Sequence, residues 1–507
     1  MTGSLFEYIK RVSGDSNHTA LKKGLTGPLL SYQKLFTEVE KVSRFLPSQT
    51  VISTVLDNTI ECVVCFLAIG LAGSVVAPLN PGSSESEFEF YLRKSPGGVI
   101  VPKSGSAHSE SAATRLGIPI KYVVCDAEGS IHISPRTGSI GFQPKIIGPE
   151  THLMLFTSGT TGEPKSVPLS HSNMIASLQN IVKTYSLGRA DVTLAVMPLF
   201  HIHGLMASLF ATLGSGGTVI LPFTGIFSAK SFLAELVGNQ CTWFTAVPTM
   251  HHILLNTVDG RSVLPSHRLR FIRSCSSALA PALLHQIEAM YGGVDVLEAY
   301  AMTEACHQMT SNPIGGGRKP GSVGVAQGTV QIAIFDPSSD IPINEANKRG
   351  EVCVKGPNVM KKYLDNDFAN KSAFTSSGFF RTGDEGHMDE GGFLTITGRL
   401  KEMINKGGEK ISPIEIDSAL LAHPAVMEAV AFAIPDPKYG EVVGAAVRLR
   451  ADMMHVSEAD LMMFVGTKLA SFKVPGGVFI VSELPRTASG KIQRRLIAAQ
   501  FISKSKL

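Results

Sequence analysis

The sequence has almost no excess of charge of either sign and few aromatic residues. It contains 46 lysines and arginines against 42 aspartates and glutamates, which gives a formal net charge of +4 over 507 residues. That excess is too small and too dispersed for a nucleic-acid-binding or membrane-surface protein. Aromatic residues make up 7% of the chain, with Trp243 as the one tryptophan. A hydrophobic content of 44% and this length instead predict a large buried core and two or more domains.

Cysteine is also scarce, and its seven copies are scattered along the chain. An odd number without regular spacing favours a reducing compartment over secretion. Cys62 and Cys65 form a lone C-x-x-C motif inside an apolar run. Because a zinc or redox site would need a second pair or a βαβ context, we interpret them as buried thiols on an apolar helix.

Hydrophobic runs are too short to predict a membrane span. The stretch from Cys62 to Ala77 is mostly apolar but contains Gly70, Gly73 and Ser74. A spanning helix needs about 20 apolar residues. We therefore expect a buried helix that leads into a core strand. The N-terminal segment also lacks the apolar region of a signal peptide.

The C-terminal residues are Ser505, Lys506 and Leu507. Ser-Lys-Leu in this position is the peroxisomal address, which an import receptor reads. The sequence therefore predicts a peroxisomal location, with that receptor as a partner and the cytoplasm as a second location. The alternative interpretation is a frayed basic tail.

Strand-like and helix-like segments alternate through most of the chain. Runs such as "GGVIVP" and "THLMLFTSG" read as strands, and "TIECVVCFLAIGLA" and "SNMIASLQNIVKTY" read as helices. This alternation predicts α/β layering with mostly parallel strands. Near residue 396 the pattern changes to a hairpin, a charged connector and a helix from about Pro413 to Ala422. We predict a large α/β domain over 1–397 and a small α+β domain over 398–507, with two or three strands and two helices.

The segment from Thr157 to Lys165 reads "TSGTTGEPK". Hydroxyls and the backbone N–H groups of glycine-rich loops bind oxyanions, and a lysine adds positive charge. The segment lacks the Gly-Lys-Ser/Thr ending of a P-loop. Turns also collect glycine, serine, threonine and proline. A loop of this length directly after the buried-looking "LMLF" nevertheless favours phosphate binding.

Four further motifs follow this loop in a fixed order. They are "YAMTE" (300–304), "RTGD" (381–384), "GRLKEMINKGGEKISPIEI" (398–416) and "PRTASGKIQRR" (485–495). Together with "TSGTTGEPK" they resemble the motifs of the adenylate-forming superfamily, which includes acyl-CoA synthetases. Five ordered motifs over most of the chain are far more specific than any one of them alone.

The resemblance implies two half-reactions and a set of nucleotide-binding residues. A carboxylic acid attacks the α-phosphate of ATP, pyrophosphate leaves, and CoA then displaces AMP. Glu304 would hold Mg²⁺, Asp384 would bind the ribose with support from Arg399, and the catalytic residues would be Thr303, Glu304 and Lys491. The residues implied to contact ATP or AMP are Thr157, Ser158, Gly159, Thr160, Thr161, Lys165, Ser276, Ser277, Ala278, Glu298, Ala299, Tyr300, Ala301, Met302, Thr303, Asp384, Arg399 and Lys491.

In the superfamily the small domain is mobile and rotates between the half-reactions. The resemblance places the hinge at Lys401 and the CoA pantetheine beside Gly407 and Gly408. The chain departs from the superfamily pattern at Ser166, where glycine is usual, and at Asn405, where coumarate-type enzymes have lysine.

The acid-binding segments are unusually polar for this superfamily. His201, His203, Ser274 and His307 are the residues expected to contact the acid, where relatives for aromatic or long-chain acids have apolar linings. A short diacid would need such donors for its second carboxylate. These segments are similar to those of peroxisome-type oxalate–CoA ligases of plants and fungi, which implies oxalate as substrate.

Other functions stay open from the sequence. Malonate, a medium-chain fatty acid or a coumarate-like acid are alternative substrates. A non-catalytic peroxisomal binding protein with the same fold is an alternative of another class, and a kinase or ATPase acting at the γ-phosphate would release ADP instead of AMP.

Overall fold

The structure is a computed structural model. It describes residues 3–14, 16–136, 150–157, 164–257, 266–450, 453–486, 492 and 494–504. Within these ranges the chain forms four sheets with helices packed on them. In chain order, the strands are β1 (Thr19–Lys23), β2 (Leu29–Ser31), β3 (Val51–Thr54), β4 (Val75–Pro78), β5 (Val99–Pro102), β6 (Ile120–Cys125), β7 (Ile131–Pro135), β8 (Thr151–Thr157), β9 (Lys165–Ser170), β10 (Val192–Leu194), β11 (Thr218–Leu221), β12 (Trp243–Ala246), β13 (Phe271–Cys275), β14 (Val296–Met302), β15 (His307–Ser311), β16 (Val325–Ala326), β17 (Gln331–Phe335), β18 (Pro342–Ile343), β19 (Gly350–Lys355), β20 (Phe380–Met388), β21 (Leu394–Arg399), β22 (Ile404–Lys406), β23 (Glu409–Ile411), β24 (Val426–Asp436), β25 (Gly440–Leu449) and β26 (Gly477–Ile480).

Most helices connect strands of these sheets, and several begin at a serine or threonine whose side chain accepts a hydrogen bond from the first turn. The helices are α1 (Leu5–Ser13), α2 (Tyr32–Ser43), α3 (Ile60–Leu71), α4 (Glu85–Leu92), α5 (Ala107–Leu116), α6 (His171–Tyr185), α7 (Ala211–Leu213), α8 (Ala229–Gly238), α9 (Pro248–Thr257), α10 (Pro281–Met290), α11 (Asp367–Asn370), α12 (Pro413–Leu421), α13 (Glu458–Gly466) and α14 (Arg494–Lys504).

Two large sheets have parallel centres and antiparallel edges. The seven-stranded sheet has the order β7-β6-β5-β3-β4-β8-β9, and the nine-stranded sheet has the order β16-β15-β14-β13-β12-β10-β11-β1-β2. Pairings between β5 and β3 and between β13 and β14 are parallel, whereas β8 pairs antiparallel with β9 and β14 with β15. Parallel strands buried on both faces read as continuous apolar runs. The predicted α/β layering is therefore confirmed.

Two smaller sheets complete the structure. A five-stranded antiparallel sheet has the order β18-β17-β19-β20-β21. The last sheet has the order β23-β22-β25-β24, with β26 on β25. The chain passes from one to the other through a 3₁₀ turn at Leu400–Glu402. This last region has five strands and three helices, more than predicted, because β22 and β23 form a short hairpin that the sequence pattern did not separate from the connector. The division at 397/398 stays a prediction.

Helix α3 lies in the largest core cluster and confirms the interpretation of the C-x-x-C motif. Cys62 and Cys65 are 4% and 0% exposed, and burial raises the pKa of the Cys62 thiol to about 12. Such thiols are protonated and packed as small apolar groups. In the described ranges, no helix combines the length and apolar character that crossing a membrane requires.

Asn58 connects the two large sheets at the ends of their parallel strands. It follows β3, and its Nδ2 donates to the carbonyls of Ala195 at 2.8 Å and Met197 at 2.9 Å, in the segment after β10. Its Oδ1 accepts from the N–H of Leu199 at 2.9 Å. The residue is 3% exposed, so these three backbone groups have no ready access to water.

Asn58→Ala should lower the free energy of unfolding by about 3 kcal/mol, because buried backbone groups between the two large sheets would lose their partners. Thermal unfolding followed by calorimetry measures the effect. Asn256→Ala is the matched control, since Asn256 is exposed and bonds only within its own helix. Equal thermal midpoints for the two variants would contradict this account of the contact between the sheets.

Candidate active site

The expected phosphate loop connects β8 and β9 at the edge of the seven-stranded sheet. Thr157 and Lys165 pair across this hairpin and mark the two ends of the loop. Ser158, Gly159, Thr160 and Thr161 lie outside the described residues. Ser166 is 5% exposed, and its carbonyl accepts from the N–H of Leu364 at 3.0 Å. The serine that replaces the usual glycine is therefore accommodated within a backbone bridge.

Lys165 and Glu304 both contact the side chain of Tyr363. The Lys165 ammonium lies 4.7 Å from the ring centroid of Tyr363. The Tyr363 hydroxyl donates to Glu304 Oε1 at 2.9 Å, and burial together with that carboxylate raises the pKa of Tyr363. Glu304 is 8% exposed. Tyr363 therefore contacts a cation through its ring and a carboxylate through its hydroxyl, beside the end of the expected phosphate loop.

The donor set at Glu304 fits a magnesium ion that arrives with a nucleotide. Mg²⁺ is commonly held by one or two carboxylates together with substrate phosphates and water. In the part of the chain that the structure describes, no three His, Cys, Asp or Glu side chains group as a complete metal site. One buried carboxylate beside a phosphate loop suits a shared ion better than a resident one.

Asp384, Arg399 and Tyr300 meet at the end of the five-stranded sheet. Arg399 Nε lies 2.8 Å from Asp384 Oδ1, and the Tyr300 hydroxyl donates to Asp384 Oδ2. Burial raises the pKa of Asp384 against the opposing effect of Arg399. A carboxylate has about four lone-pair sites, so Asp384 keeps acceptors for two further hydroxyls. The expected support by Arg399 is present, while the role in ribose binding stays a prediction.

The expected nucleotide-binding segments lie on adjacent parallel strands. Ser276, Ser277 and Ala278 follow β13, and Glu298, Ala299, Tyr300, Ala301 and Met302 lie in β14, just before Thr303. Ser277 and Ala278 are exposed. Ser276 has φ of +78°, an uncommon conformation for a residue with a Cβ. Such backbone strain is found where a side chain must be presented in one direction.

Glu298 is a buried carboxylate in this region. It is 6% exposed, and its Oε2 accepts from the Gly321 N–H at 2.9 Å. Burial raises its pKa to about 7, although the Gly321 N–H and Arg318 act in the opposite direction. The carboxyl group therefore changes charge close to neutral pH.

His203 and His307 form a buried pair. Their ring centroids lie 4.9 Å apart with an interplanar angle of 24°, and the residues are 0% and 1% exposed. His203 begins a π-helical segment that ends at Phe210, a form often found at functional sites. A Cβ on Gly204 would lie 2.3 Å from the carbonyl oxygen of Pro198. Only glycine allows this segment to pack so closely and bring His203 to its position.

His307 is presented by a strained turn. Cys306 and His307 have φ of +47° and +90°, directly after the 3₁₀ turn Thr303–Ala305. Asn358 Nδ2 donates to the Ala305 carbonyl at 2.8 Å and holds this turn in place. Glu304 and His307 are only three residues apart, so one turn supplies both the expected magnesium ligand and the imidazole expected to bind the acid.

The other two residues expected to bind the acid, His201 and Ser274, are not part of the buried histidine pair. His201 is half-buried, and its Nδ1 accepts from the His203 N–H at 3.2 Å, so it supports the turn that precedes the pair. Ser274 is 2% exposed and lies in β13 directly after Arg273. Because side chains alternate along a strand, Ser274 faces the side of Ile272, opposite the histidines. The structure does not bring Ser274 to the acid-binding cluster.

Sequence reasoning did not assign a role to Arg273. This residue is 0% exposed, and its Nη1 donates to His203 Nε2 at 3.2 Å. His203 Nδ1 in turn lies 3.1 Å from Ser276 Oγ. The segment "LRFIRSC" reads as a core strand, and an arginine within it could have indicated a functional residue, since unpaired charges are rarely fully buried.

The expected CoA and hinge residues belong to the region after Leu400. Lys401 is exposed. Gly407 and Gly408 have φ of +62° and +100° and connect β22 to β23. A two-residue hairpin turn requires positive φ at both positions, which accounts for the glycines without a ligand. Nothing lies within 4 Å of a Cβ placed on Gly408, so this edge is open.

Asn405 supports this turn, because its Oδ1 accepts from the Gly408 N–H at 3.1 Å. Three expectations concern positions that the structure does not describe: catalytic Lys491, the central loop residues named above, and the targeting residues Ser505, Lys506 and Leu507.

Glu298→Gln should remove a fall in stability between about pH 4.5 and pH 7. A raised carboxyl pKa means that the folded state binds a proton more tightly than the unfolded state, so stability is lost as pH rises through this window. Relative to wild type, the variant should gain up to about 3 kcal/mol at pH 8 and nothing at pH 4.

Thermal midpoints measured from pH 4 to pH 8 test this prediction. Glu345→Gln is the control, because the Glu345 side chain is 71% exposed. Parallel pH profiles for wild type and Glu298→Gln would show that Glu298 ionises at its ordinary pKa.

Comparisons with known proteins agree with this geometry. The family described as AMP-binding enzyme matches residues 10–364, and the family described as AMP-binding enzyme C-terminal domain matches residues 415–491. The chain is 43% identical to an oxalate–CoA ligase of Arabidopsis thaliana over 94% of each chain. It is 42% identical to an oxalate–CoA ligase of Saccharomyces cerevisiae, over 90% of this chain and 88% of that one. ATP-bound MatB from Rhodopseudomonas palustris superimposes with a TM-score of 0.87 at 28% identity, over 99% of this chain and 100% of the other.

Proposed function

Because the chain belongs to the AMP-binding enzymes, we propose that it is an ATP-dependent acid–CoA ligase whose acid is oxalate. In the first half-reaction, a carboxylate oxygen of oxalate bonds to the α-phosphorus of ATP and pyrophosphate leaves. In the second, the CoA thiolate bonds to the acyl carbon and AMP leaves. The net reaction converts oxalate, ATP and CoA into oxalyl-CoA, AMP and pyrophosphate.

The buried His203–His307 pair carries the choice of acid. Two imidazoles 4.9 Å apart, with the Ser276 hydroxyl 3.1 Å from one of them, form a compact polar group. An apolar acyl chain would bring no hydrogen-bonding group to this buried polar cluster, so the site would bind it less well than an acid that does. A second carboxylate supplies acceptors for them. The two relatives named oxalate–CoA ligases support the same choice.

In the adenylation step, this chain mainly neutralises and positions charge. Lys165 and the phosphate loop would bind the departing pyrophosphate, and Thr303 and Lys491 would contact the α-phosphate. Asp384 would fix the ribose. Glu304 would hold Mg²⁺, which supplies charge neutralisation on the phosphates when bound.

The second half-reaction requires a different arrangement of the small domain. We assign the domains to residues 1–397 and 398–507, with rotation at Lys401. Rotation would withdraw Lys491 and bring the exposed turn at Gly407 and Gly408 to the pantetheine. The Ser-Lys-Leu terminus at 505–507 would direct the enzyme to the peroxisome through its import receptor.

The decisive experiment incubates the protein with ATP, CoA, Mg²⁺ and single short acids, and identifies the nucleotide product. We expect AMP and pyrophosphate with oxalate, and oxalyl-CoA by mass spectrometry. ADP as the product would indicate γ-phosphate chemistry. No turnover with any acid would support a non-catalytic binding protein, and stronger turnover with malonate or a monoacid would replace oxalate as the substrate.

His307→Ala should reduce kcat/KM for oxalate about tenfold or more, and reduce that for a monoacid much less, because it removes a polar group that the second carboxylate needs. His285→Ala is the matched control, since the His285 side chain is 67% exposed on α10. A uniform loss with both acids would refute a role in selectivity.

Lys491→Ala should abolish adenylation but retain thioester formation from supplied oxalyl-AMP and CoA. The lysine charge is needed only while negative charge develops at the α-phosphate. Pyrophosphate release and CoA consumption, measured separately, test the two half-reactions. Equal loss of both would show that Lys491 is not confined to the first.

A further inference from the structure

Arg273 is a buried cation surrounded by neutral groups. Its guanidinium donates to Tyr185 Oη at 2.9 Å, to Gln308 Oε1 at 3.2 Å, to Thr245 Oγ1 at 3.2 Å and to His203 Nε2 at 3.2 Å. The Cys275 thiol also lies beside it. Among the described residues, no aspartate or glutamate lies within ion-pair distance of this guanidinium.

A requirement for packing alone does not explain such a residue. Burying a charge without a counter-charge is costly, and an apolar side chain of similar volume is usually at least as stabilising in a buried position. Arginine also stays protonated under all ordinary conditions. The position therefore carries a permanent positive charge whose natural counter-ion is absent from the surrounding protein.

The hydrogen bonds of Arg273 fix the direction of a chain of donors. A guanidinium can only donate, so His203 Nε2 must accept. Thr245 Oγ1 accepts from Arg273 and lies 2.7 Å from the same nitrogen, so its hydroxyl proton shares the single Nε2 lone pair with the guanidinium. The proton of the neutral imidazole then lies on Nδ1 and is donated to Ser276 Oγ at 3.1 Å.

Ser276 is the outer end of this chain. Its oxygen accepts from His203, so its own hydroxyl proton is left to be donated elsewhere. The residue is only partly buried, unlike Arg273 and His203, and its positive φ directs the side chain away from the regular strand. A group bound next to the histidine pair therefore meets a hydroxyl donor backed by a buried positive charge.

We propose that Arg273 is the positioning residue that selects acids with a second negative charge, because it orients the Arg273–His203–Ser276 chain to donate a hydrogen bond to the free carboxylate. This inference rests on the proposed function. One carboxylate of oxalate is consumed in the bond to the α-phosphate, and the other stays ionised through both half-reactions. That remaining carboxylate is the counter-ion of Arg273, acting through His203 and Ser276.

Three substitutions separate charge, geometry and the outer donor. Arg273→Gln removes the charge, Arg273→Lys keeps the charge but loses the planar fork, and Ser276→Ala removes the outer donor while leaving the four hydrogen bonds of Arg273 in place. Tyr185→Phe is the matched control, because it removes another partner of the same guanidinium while leaving its charge and its bond to His203.

The readout compares oxalate with glyoxylate, a monoanion of similar size that has an aldehyde in place of the second carboxylate. Arg273→Gln should lower kcat/KM for oxalate at least about 50-fold and that for glyoxylate less than about fivefold, with KM for ATP unchanged. Arg273→Lys should retain part of the preference, and Ser276→Ala should lower it about tenfold. Tyr185→Phe should leave the ratio of the two acids unchanged.

A second measurement does not depend on catalysis. In wild-type protein labelled with ¹⁵N-histidine, the His203 ring, assigned by comparison with His203→Gln, should show a protonated Nδ1 and an unprotonated Nε2. Arg273→Gln should shift the ring toward the other tautomer, because a glutamine amide presents either a donor or an acceptor.

The outcomes distinguish the two proposals. Absence of oxalate turnover in the wild type refutes the proposed function and the selection of a dianion with it, regardless of the tautomer. Oxalate turnover with an unchanged acid ratio in Arg273→Gln and Ser276→Ala overturns the role of Arg273 alone. If Arg273→Gln does not fold, Ser276→Ala and the wild-type tautomer still decide, and a wild-type ring with its proton on Nε2 overturns the proposed orientation.

Discussion

A permanent positive charge buried among neutral groups is the constraint on which the candidate acid site depends. The Arg273 guanidinium can only donate hydrogen bonds, so every group around it has to present an acceptor. That requirement sets the tautomer of His203 and leaves the Ser276 hydroxyl as an outward donor. The proposed selectivity for a diacid then needs no charged side chain in direct contact with the acid. The charge of Arg273 lies behind the His203 and Ser276 side chains, where it is buried and water screens it little.

The backbone around this charge is costly to form. Ser276, Cys306 and His307 have positive φ values, and the backbone packs closely at Gly204. These features bring the end of β13 and the histidine pair together. Such conformations cost about 1–3 kcal/mol each, and they persist because the strands beside them, β13, β14 and β15, are largely buried. The turn that carries His307 also carries Glu304. If Glu304 and His307 have their expected roles, one piece of backbone therefore sets the position of both the phosphates and the acid.

The residues expected to contact the nucleotide were easier to select from the sequence than the buried cluster around Arg273, and their roles stay predictions. Ordered motifs identified Lys165, Glu304 and Asp384, since each motif keeps its residue types close in sequence. The cluster of Arg273 with His203 joins residues 70 positions apart, and no local pattern encodes that contact. Ser274 was selected because its segment resembles an acid-binding segment, and a segment does not say which of two neighbouring side chains faces the cluster, since side chains alternate along a strand. Glycines at a hairpin turn were attributed to ligand access because turn geometry cannot be separated from function in sequence alone.

The residues on either side of Leu400 and Lys401 are both held by ion pairs, which supports the proposed hinge. Before it, Arg399 is held by Asp384, the expected ribose ligand. After it, Glu402 pairs with Arg494 Nε at 3.2 Å, and Arg494 is bonded to Asp417 in α12, which ties Glu402 to the small domain. A rotation therefore concentrates in the two residues between these anchors. The hydrogen bond from Ser412 Oγ to the Thr397 carbonyl crosses this boundary and has to break. Because Arg399 ends β21 and is paired with Asp384, a nucleotide bound at Asp384 would act on the residue directly before the proposed hinge.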